Sequence, residues 1–268
     1  MTETRTLLAA EMLVLSPDDY VVLGESDFGA PGLTATEIIG PFVPLQASGP
    51  LIMVHDAFVE PRLGIGHHPH RYNERLFYIL EGSLNHDDSL NGITGFMGKG
   101  DVARLTEGMA GMFHKEWNNS GERTHAFILV YETRPVPEQA SFSALRDGEA
   151  PRYEEAPGIQ TKELVGPRAA LEVNGDIRFF ADSALMAGAR LGVELGEGEG
   201  ALLYPLDGEL ATDGGVTLRP GNTLIVPPTA APHRFVVSAQ SESRVLRVIH
   251  GQGRGLLMDR PRLQRAEA

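Results

Sequence analysis

Two short segments carry the residues best able to do chemistry: His68-Pro69-His70 and His114-Lys115-Glu116. Five of the nine histidines (67, 68, 70, 86 and 114) fall in this one stretch of the first half. Side chains on a strand alternate with period two, so a His-x-His pair puts both imidazoles on one face. His114 and Glu116 repeat that spacing on a second segment. Brought together, the two pairs supply three imidazoles and one carboxylate. That donor set suits Fe(II), Mn(II), Ni(II), Co(II), Cu(II) or Zn(II), and the residues alone do not choose among them. Four protein ligands on a six-coordinate metal leave two positions for exogenous molecules, and the metal then serves as Lewis acid and template. Glu116 is the candidate catalytic base, because a carboxylate can loosen at a metal and accept a proton.

The elements that must position these residues read as strands. Short apolar runs recur between Gly, Pro, Asn and Asp: Leu51–Phe58, Arg75–Leu80, His125–Tyr131, Ile177–Ala181, Gly200–Tyr204, Thr223–Val226 and Arg244–Ile249. With 31 Gly and 18 Pro, the pattern predicts an all-β sandwich or barrel. Short helices are expected only at Gln139–Arg146 and near the C-terminus. A proline-rich, charged stretch from Glu132 to Ile159 reads as a linker and divides the chain into 1–138 and 139–268.

The two sides of that linker look like divergent copies of one β-barrel. Leu80-Glu81-Gly82-Ser83-Leu84 resembles Leu206-Asp207-Gly208-Glu209-Leu210, Gly100-Asp101 returns as Gly221-Asn222, and His114 returns as His233. Counting back from Gly208 as His68 and His70 stand before Gly82 reaches Glu194 and Gly196, and Phe235 stands for Glu116. Only His233 survives, which predicts a second domain without metal. Glu194, Glu197 and Glu199 then read as a solvated edge.

Composition excludes several classes. The net charge of −13 opposes contact with phosphate backbones, so no direct nucleic-acid binding is expected. Without cysteine there is no disulfide, thiolate nucleophile or Cys-ligated metal. No signal-peptide pattern or apolar run of membrane-spanning length is present, and no GxGxxG or GxxxxGK[ST] motif. These features predict a soluble, cytoplasmic protein with no membrane partner.

From Pro50 to Glu116 the chain resembles the pirin family of the cupin superfamily. The carrying segments are Asp56-x-Phe58, His68-Pro69-His70-Arg71, Glu74, Tyr78-x-Leu80-Glu81-Gly82, His86-x-Asp88-Ser89, Gly100-Asp101 and Gly111-x-x-His114-x-Glu116. The resemblance implies two tandem cupin (jelly-roll) barrels, with one metal, usually iron as Fe(II), in the N-terminal barrel. It implies His68, His70, His114 and Glu116 as the ligands. It further implies quercetin 2,3-dioxygenase activity, in which a flavonol binds through its 3-hydroxyl oxygen, Glu116 takes the proton, O2 adds and carbon monoxide leaves. The alternative within the family is a non-enzymatic, redox-sensing regulator that binds a protein partner. Three departures from the family pattern lie close in sequence to the ligands: Tyr72-Asn73, Ala103-Arg104-Leu105, and an extra residue between Gly108 and Gly111. They predict an altered pocket mouth.

Other residues carry lesser expectations. His67 should face away from His68. Glu74 should support the ligands from behind, orienting a ring or pairing with an arginine. His86, Asp88 and Ser89 read as a turn network. His55, His125 and His250 read as hydrogen-bonded core or edge histidines. Phe58, Phe77, Met112 and Phe113 should fill the barrel interior beside the metal, with Trp117 on the pocket wall or in the core.

Overall fold

Burial follows two patterns along the strands, and they define the layers. Some strands are buried on both faces, as in Asn73–Glu81, Thr124–Glu132 and Gly200–Asp207. Others alternate, as in Ser83–Asp88, Met112–Trp117 and Arg190–Leu195. The computed structural model describes residues 12–258 and the backbone of Arg5 and Thr6. It has two β-barrels, each made of one large inner sheet and one smaller outer sheet. The inner sheets pack against each other, so their strands are apolar throughout; the outer sheets face solvent on one side and therefore alternate.

The first inner sheet runs in the order Ser141–Leu145, Val102–Thr106, Asn73–Glu81, Thr124–Glu132, Leu51–Val59, Leu33–Ile39, Val21–Leu23. The second runs Leu13–Leu15, Thr223–Val226, Gly200–Asp207, Ser243–His250, Ile177–Leu185, Ile159–Val165, Arg152–Ala156. Position by position the orders correspond, and the outer sheets correspond as well. Ile93–Gly98, Ser83–Asp88, Met112–Trp117 and Gly64–His70 match Thr217–Leu218, Leu210–Thr212, His233–Ala239 and Arg190–Leu195. The all-β, two-cupin-barrel architecture read from the sequence is therefore present.

This correspondence exposes a repeat that the sequence reading missed. Glu37-Ile38-Ile39-Gly40-Pro41 and Glu163-Leu164-Val165-Gly166-Pro167 close equivalent strands. In each, the buried glutamate folds back and accepts a backbone N–H five residues on: Phe42 N at 2.7 Å and Arg168 N at 2.6 Å. A side chain at Gly40 or Gly166 would collide with that carboxylate.

Two expectations change. Gln139–Arg146 is not helical: Ser141–Leu145 is an edge strand that pairs antiparallel with Val102–Thr106. The unpaired edge of that strand and the pocket for Leu145 outweigh a weak helical preference. The helices that do occur among the described residues are one turn at Glu25–Phe28 and a 3-10 turn at Pro17–Asp19. The C-terminal helix expected lies partly outside the described residues, and Leu256–Met258 is a strand. Nor is the 132–159 stretch a plain linker, since it contains Ser141–Leu145 and Arg152–Ala156.

Chain segments also cross the division at 138/139. Leu13–Leu15 closes the edge of the second inner sheet, Leu256–Met258 pairs with Leu45–Ser48 in the first half, and Ser141–Leu145 closes the first inner sheet. Between the inner sheets lies one continuous core, including Ile38, Leu76, Tyr78 and Phe127 from the first half and Phe180, Leu202, Leu246 and Val248 from the second. The interior of the second barrel is filled by apolar side chains such as Leu191, Leu195, Leu203, Leu224 and Phe235. The first barrel has a smaller apolar cluster around Phe77, Ile79, Leu84 and Met97. Its remaining interior holds the polar residues described next.

Candidate metal centre

The outer sheet of the first barrel brings the histidine segments side by side. Gly64–His70 pairs antiparallel with Met112–Trp117, with His68 opposite His114 and His70 opposite Met112. Both strands alternate, so His68, His70, His114 and Glu116 turn inward while His67, Pro69, Phe113 and Lys115 turn outward. A bulge between His114 and Glu116 shifts the register and sets Glu116 opposite Ile65. It falls where Gly64 crosses the partner strand, and a Cβ on Gly64 would collide with the Glu116 carbonyl oxygen.

Ring centroids of His68, His70 and His114 stand 4.7–5.0 Å apart. Their donor atoms form one triad within mutual ligand distance, and His86, His114 and Glu116 form a second. His114 belongs to both. His86 therefore lies in the cluster rather than only in a turn: its Nδ1 is 3.2 Å from Glu116 Oε1, and its other face stacks on Phe142. Ser83–Asp88 pairs with Met112–Trp117, placing His86 directly opposite Glu116. Period-two alternation with buried Leu84 and Asp88 was the signal that could have revealed this. Asp88 and Ser89 do form the expected turn network: Asp88 accepts from Leu90 N, Asn91 N and Phe113 N, and Ser89 Oγ donates to Phe113 O.

The arrangement fits a divalent transition metal. His114 is fully buried, and neither ring nitrogen has a hydrogen-bond partner; Nδ1 lies 2.9 Å from Glu116 Oε1 but off the bonding direction. A buried imidazole in that state is costly without an ion to satisfy it. His68 donates from Nδ1 to Gly66 O at 2.7 Å, which leaves Nε2 unprotonated and able to ligate. His70 differs. Arg75 Nη2 donates to His70 Nδ1 at 2.7 Å, so Nε2 keeps its proton while that bond holds. Ligation through Nε2 requires that bond to be exchanged.

Electrostatics favour the ligating forms. Burial lowers His68, with only partial offset from Gly66 O. Burial, then Arg75 and the neighbouring imidazoles, push His70 down to about 2. Burial works to raise the Glu116 carboxyl, but the flanking His114 and His86 rings outweigh it and hold Glu116 below the usual carboxylate range. Neutral imidazoles and an ionised carboxylate are what a metal requires.

Glu74 pairs with an arginine, Arg104, as one of the two expectations had it, but it orients no ring of this cluster. On its strand Arg75, Phe77 and Ile79 face the barrel interior, so Glu74 faces the interbarrel core. There it accepts from Tyr131 Oη, Thr106 Oγ1 and Asn174 N at 2.8, 2.5 and 2.7 Å, with Arg104 Nε 3.8 Å away. The supporting pair is instead Arg75 and Glu107, bonded at 2.8 Å, and neither drew notice in the sequence. Arg104 likewise misses the pocket and donates to Glu172 O, Ser141 Oγ and Ser143 Oγ. Tyr72 is exposed beneath Arg71.

Aromatic expectations hold in part. Phe77 lines the inner cavity and Met112 is buried. Phe58 stacks on His125 outside it, Phe113 stacks on His67 at the surface, and Trp117 lines an outer cleft. His55 pairs with Glu37, His125 with Asp56, and His250 with Ser48 and Gly251 O, as hydrogen-bonded histidines should. In the second barrel the register sets Leu195, not Glu194, opposite His233. Glu194 is exposed, and Phe235 is buried in the apolar interior.

His68, His70 and Glu116 line a cavity of about 380 Å³ whose wall is mostly apolar, with Leu33, Met53, Phe77 and Ile128 among its lining residues. No helix among the described residues is long and apolar enough to cross a membrane.

Residues 26–130 match the Pirin family model. A quercetin 2,3-dioxygenase of Escherichia coli strain K12 is 33% identical over 137 residues, 48% of this chain and 54% of that protein. The chain spans about half the length of the curated relatives first matched. Among solved structures, a Geobacillus kaustophilus protein superposes with a TM-score of 0.76 at 21% identity, covering 89% of this chain and 94% of that one. The bacterial pirin YhhW of Escherichia coli, in complex with nickel(II), superposes with a TM-score of 0.73 at 19% identity, covering 90% and 99%. Residues 26–130 thus match the pirin family, within an all-β fold of two cupin-type barrels.

Proposed function

We propose that this chain is a metal-dependent dioxygenase of the quercetin 2,3-dioxygenase type, acting on a flavonol or another enolisable aromatic with O2. The observation that carries the reading is the convergence of His68, His70 and His114, with His68, His70 and Glu116 lining an apolar cavity. His68, His70, His114 and Glu116 are the proposed ligands of one divalent metal. When bound, that metal supplies Lewis-acid activation and a template for two exogenous molecules.

The chain's own residues supply the rest. The apolar wall takes up an aromatic ring system and excludes water. Glu116 accepts the proton of the substrate hydroxyl; an ionised carboxylate flanked by two imidazoles is ready for that transfer. His86, on the neighbouring strand Ser83–Asp88, holds Glu116 Oε1 at 3.2 Å. Substrate enolate and O2 then combine, the ring opens and carbon monoxide leaves.

Protein loaded in turn with Fe, Mn, Ni, Co and Cu should bleach the absorbance of quercetin in air and release carbon monoxide. Absence of turnover with all five metals, in samples shown to hold one equivalent, would overturn the enzymatic reading.

A further inference from the structure

The cavity wall contains one guanidinium, and its bonding is incomplete. Arg75 points inward from Asn73–Glu81 and is the only lysine or arginine lining the cavity among the described residues. Its Nε donates to Glu107 Oε1 at 2.8 Å and its Nη2 to His70 Nδ1 at 2.7 Å. Nη1 makes no hydrogen bond among the described residues and is not sealed from solvent, on a side chain that lines the cavity. Glu107 is fully buried and also accepts from Asn73 N at 3.0 Å, which fixes the pair from behind.

We propose that Arg75 determines specificity by binding a carboxylate on the substrate, so that the preferred substrate is an aromatic acid with its hydroxyl next to the carboxylate. The inference rests on the cavity being the substrate site, as in the reading above. A guanidinium keeps its charge in apolar surroundings and presents planar paired donors that match a carboxylate. Nη1 is without a hydrogen-bond partner already. Nη2 bonds to His70 only through Nδ1, and that bond must be exchanged when His70 ligates through Nε2, which releases a second donor on the same edge. Arg75 touches His70, so a carboxylate on Arg75 would adjoin a hydroxyl held near the histidines. Two carboxylates also line the cavity: Glu116, engaged by the His86 ring, and Asp27, which is exposed and whose Oδ2 accepts from Gly24 N. His55 on the wall is held by Glu37.

The test compares two probes that differ only in the acid: 1-hydroxy-2-naphthoate and 1-naphthol. Each is titrated calorimetrically into the full-length protein, both as purified and after dialysis against a chelator, so that chelation of metal by the acid is separated from contact with Arg75. The expected result is at least tenfold tighter binding of the acid as purified, and a smaller preference after dialysis, when Nη2 stays on His70 and Nη1 alone is free. In a double variant that combines Arg75→Met with Glu107→Gln, so that no charge is stranded, the preference should fall to within twofold. Arg75→Lys should retain only part of it. Equal affinities in the unmodified protein overturn the proposal, and so does a folded double variant that keeps the preference. If the double variant does not fold, an undiminished preference in Arg75→Lys overturns it instead. Flavonol turnover is read separately, so a failure of the dioxygenase reading leaves this comparison intact.

Discussion

His114 is common to both donor triads and is sealed from solvent, so its loss should be felt most. His114→Ala should abolish retention of one metal equivalent, as measured by elemental analysis after dialysis. His86 contacts Glu116 and belongs to one triad only. His86→Gln should therefore lower metal affinity by roughly 10–100-fold without abolishing it, the range for a residue that orients a ligand. A titration with a competing chelator separates the two outcomes. His250 makes a different prediction. Burial lowers it to about 4, against a reference near 6.5 in the unfolded chain. Below 6.5 the unfolded state binds the proton first, so stability is complete above that pH and falls as pH drops through the window to about 4. The loss amounts to roughly 3 kcal/mol at the lower end. The Tm of His250→Gln, followed from pH 7 to pH 4, should decline less steeply than that of the parent protein. Equal slopes would show that His250 is not the titrating group. Most of this residue-scale picture was legible: the His-x-His and His-x-Glu spacings needed only strand periodicity. His86 was overlooked because a glycine turn nearby gave it an adequate local explanation.

At the scale of elements, the site depends on one crossing between two strands. Gly64 meets Trp117 where the bulge re-aims Glu116, and only a residue without a Cβ fits there. Gly64→Ala should force the strands apart, costing about 1–3 kcal/mol by overpacking. It should also weaken metal retention although no ligand is changed. Measuring urea midpoints and metal content on the same preparation tests both halves of that statement. The alternating and continuous apolar patterns were visible in the sequence, and they correctly distinguished strands from helices nearly everywhere. Gln139–Arg146 was the exception, since its strand state depends on an edge supplied by Val102–Thr106 far back in the chain. The Glu-x-x-Gly-Pro repeat was equally present in the sequence. Its meaning appeared only once the two strands proved topologically equivalent.

For the whole molecule, the two barrels share their largest core and a set of buried polar links. Tyr78 donates to Asp182 at 2.5 Å, and Arg244 holds the same carboxylate. Glu74 reaches across to Asn174. Tyr204 donates to Asp56, which also holds His125. With apolar residues of both halves in one cluster, the halves should not unfold separately. Calorimetry should show one transition, with a van't Hoff enthalpy equal to the calorimetric one. Two resolved transitions would contradict a shared core. Glu74→Ala leaves Asn174 and Tyr131 without their buried acceptor and should cost several kcal/mol. Protein that still folds should keep its metal, because Glu74 faces away from the histidines. Loss of metal without loss of stability would restore the expectation that Glu74 backs the ligands.

The sequence alone determined the fold class, the doubling of the barrel and the four residues proposed to hold a metal, because each depends on local periodicity or on residue type at fixed spacing. Tertiary structure decided which face of Asn73–Glu81 meets the cluster, and so exchanged Glu74 for Arg75 and Glu107. It decided that His86 joins Glu116, that Leu195 rather than Glu194 faces His233, and that short strands cross the division at 138/139. These outcomes share a cause. A strand buried on both faces has no polar side to mark its orientation, and partners brought together from distant segments leave no periodic trace in either segment.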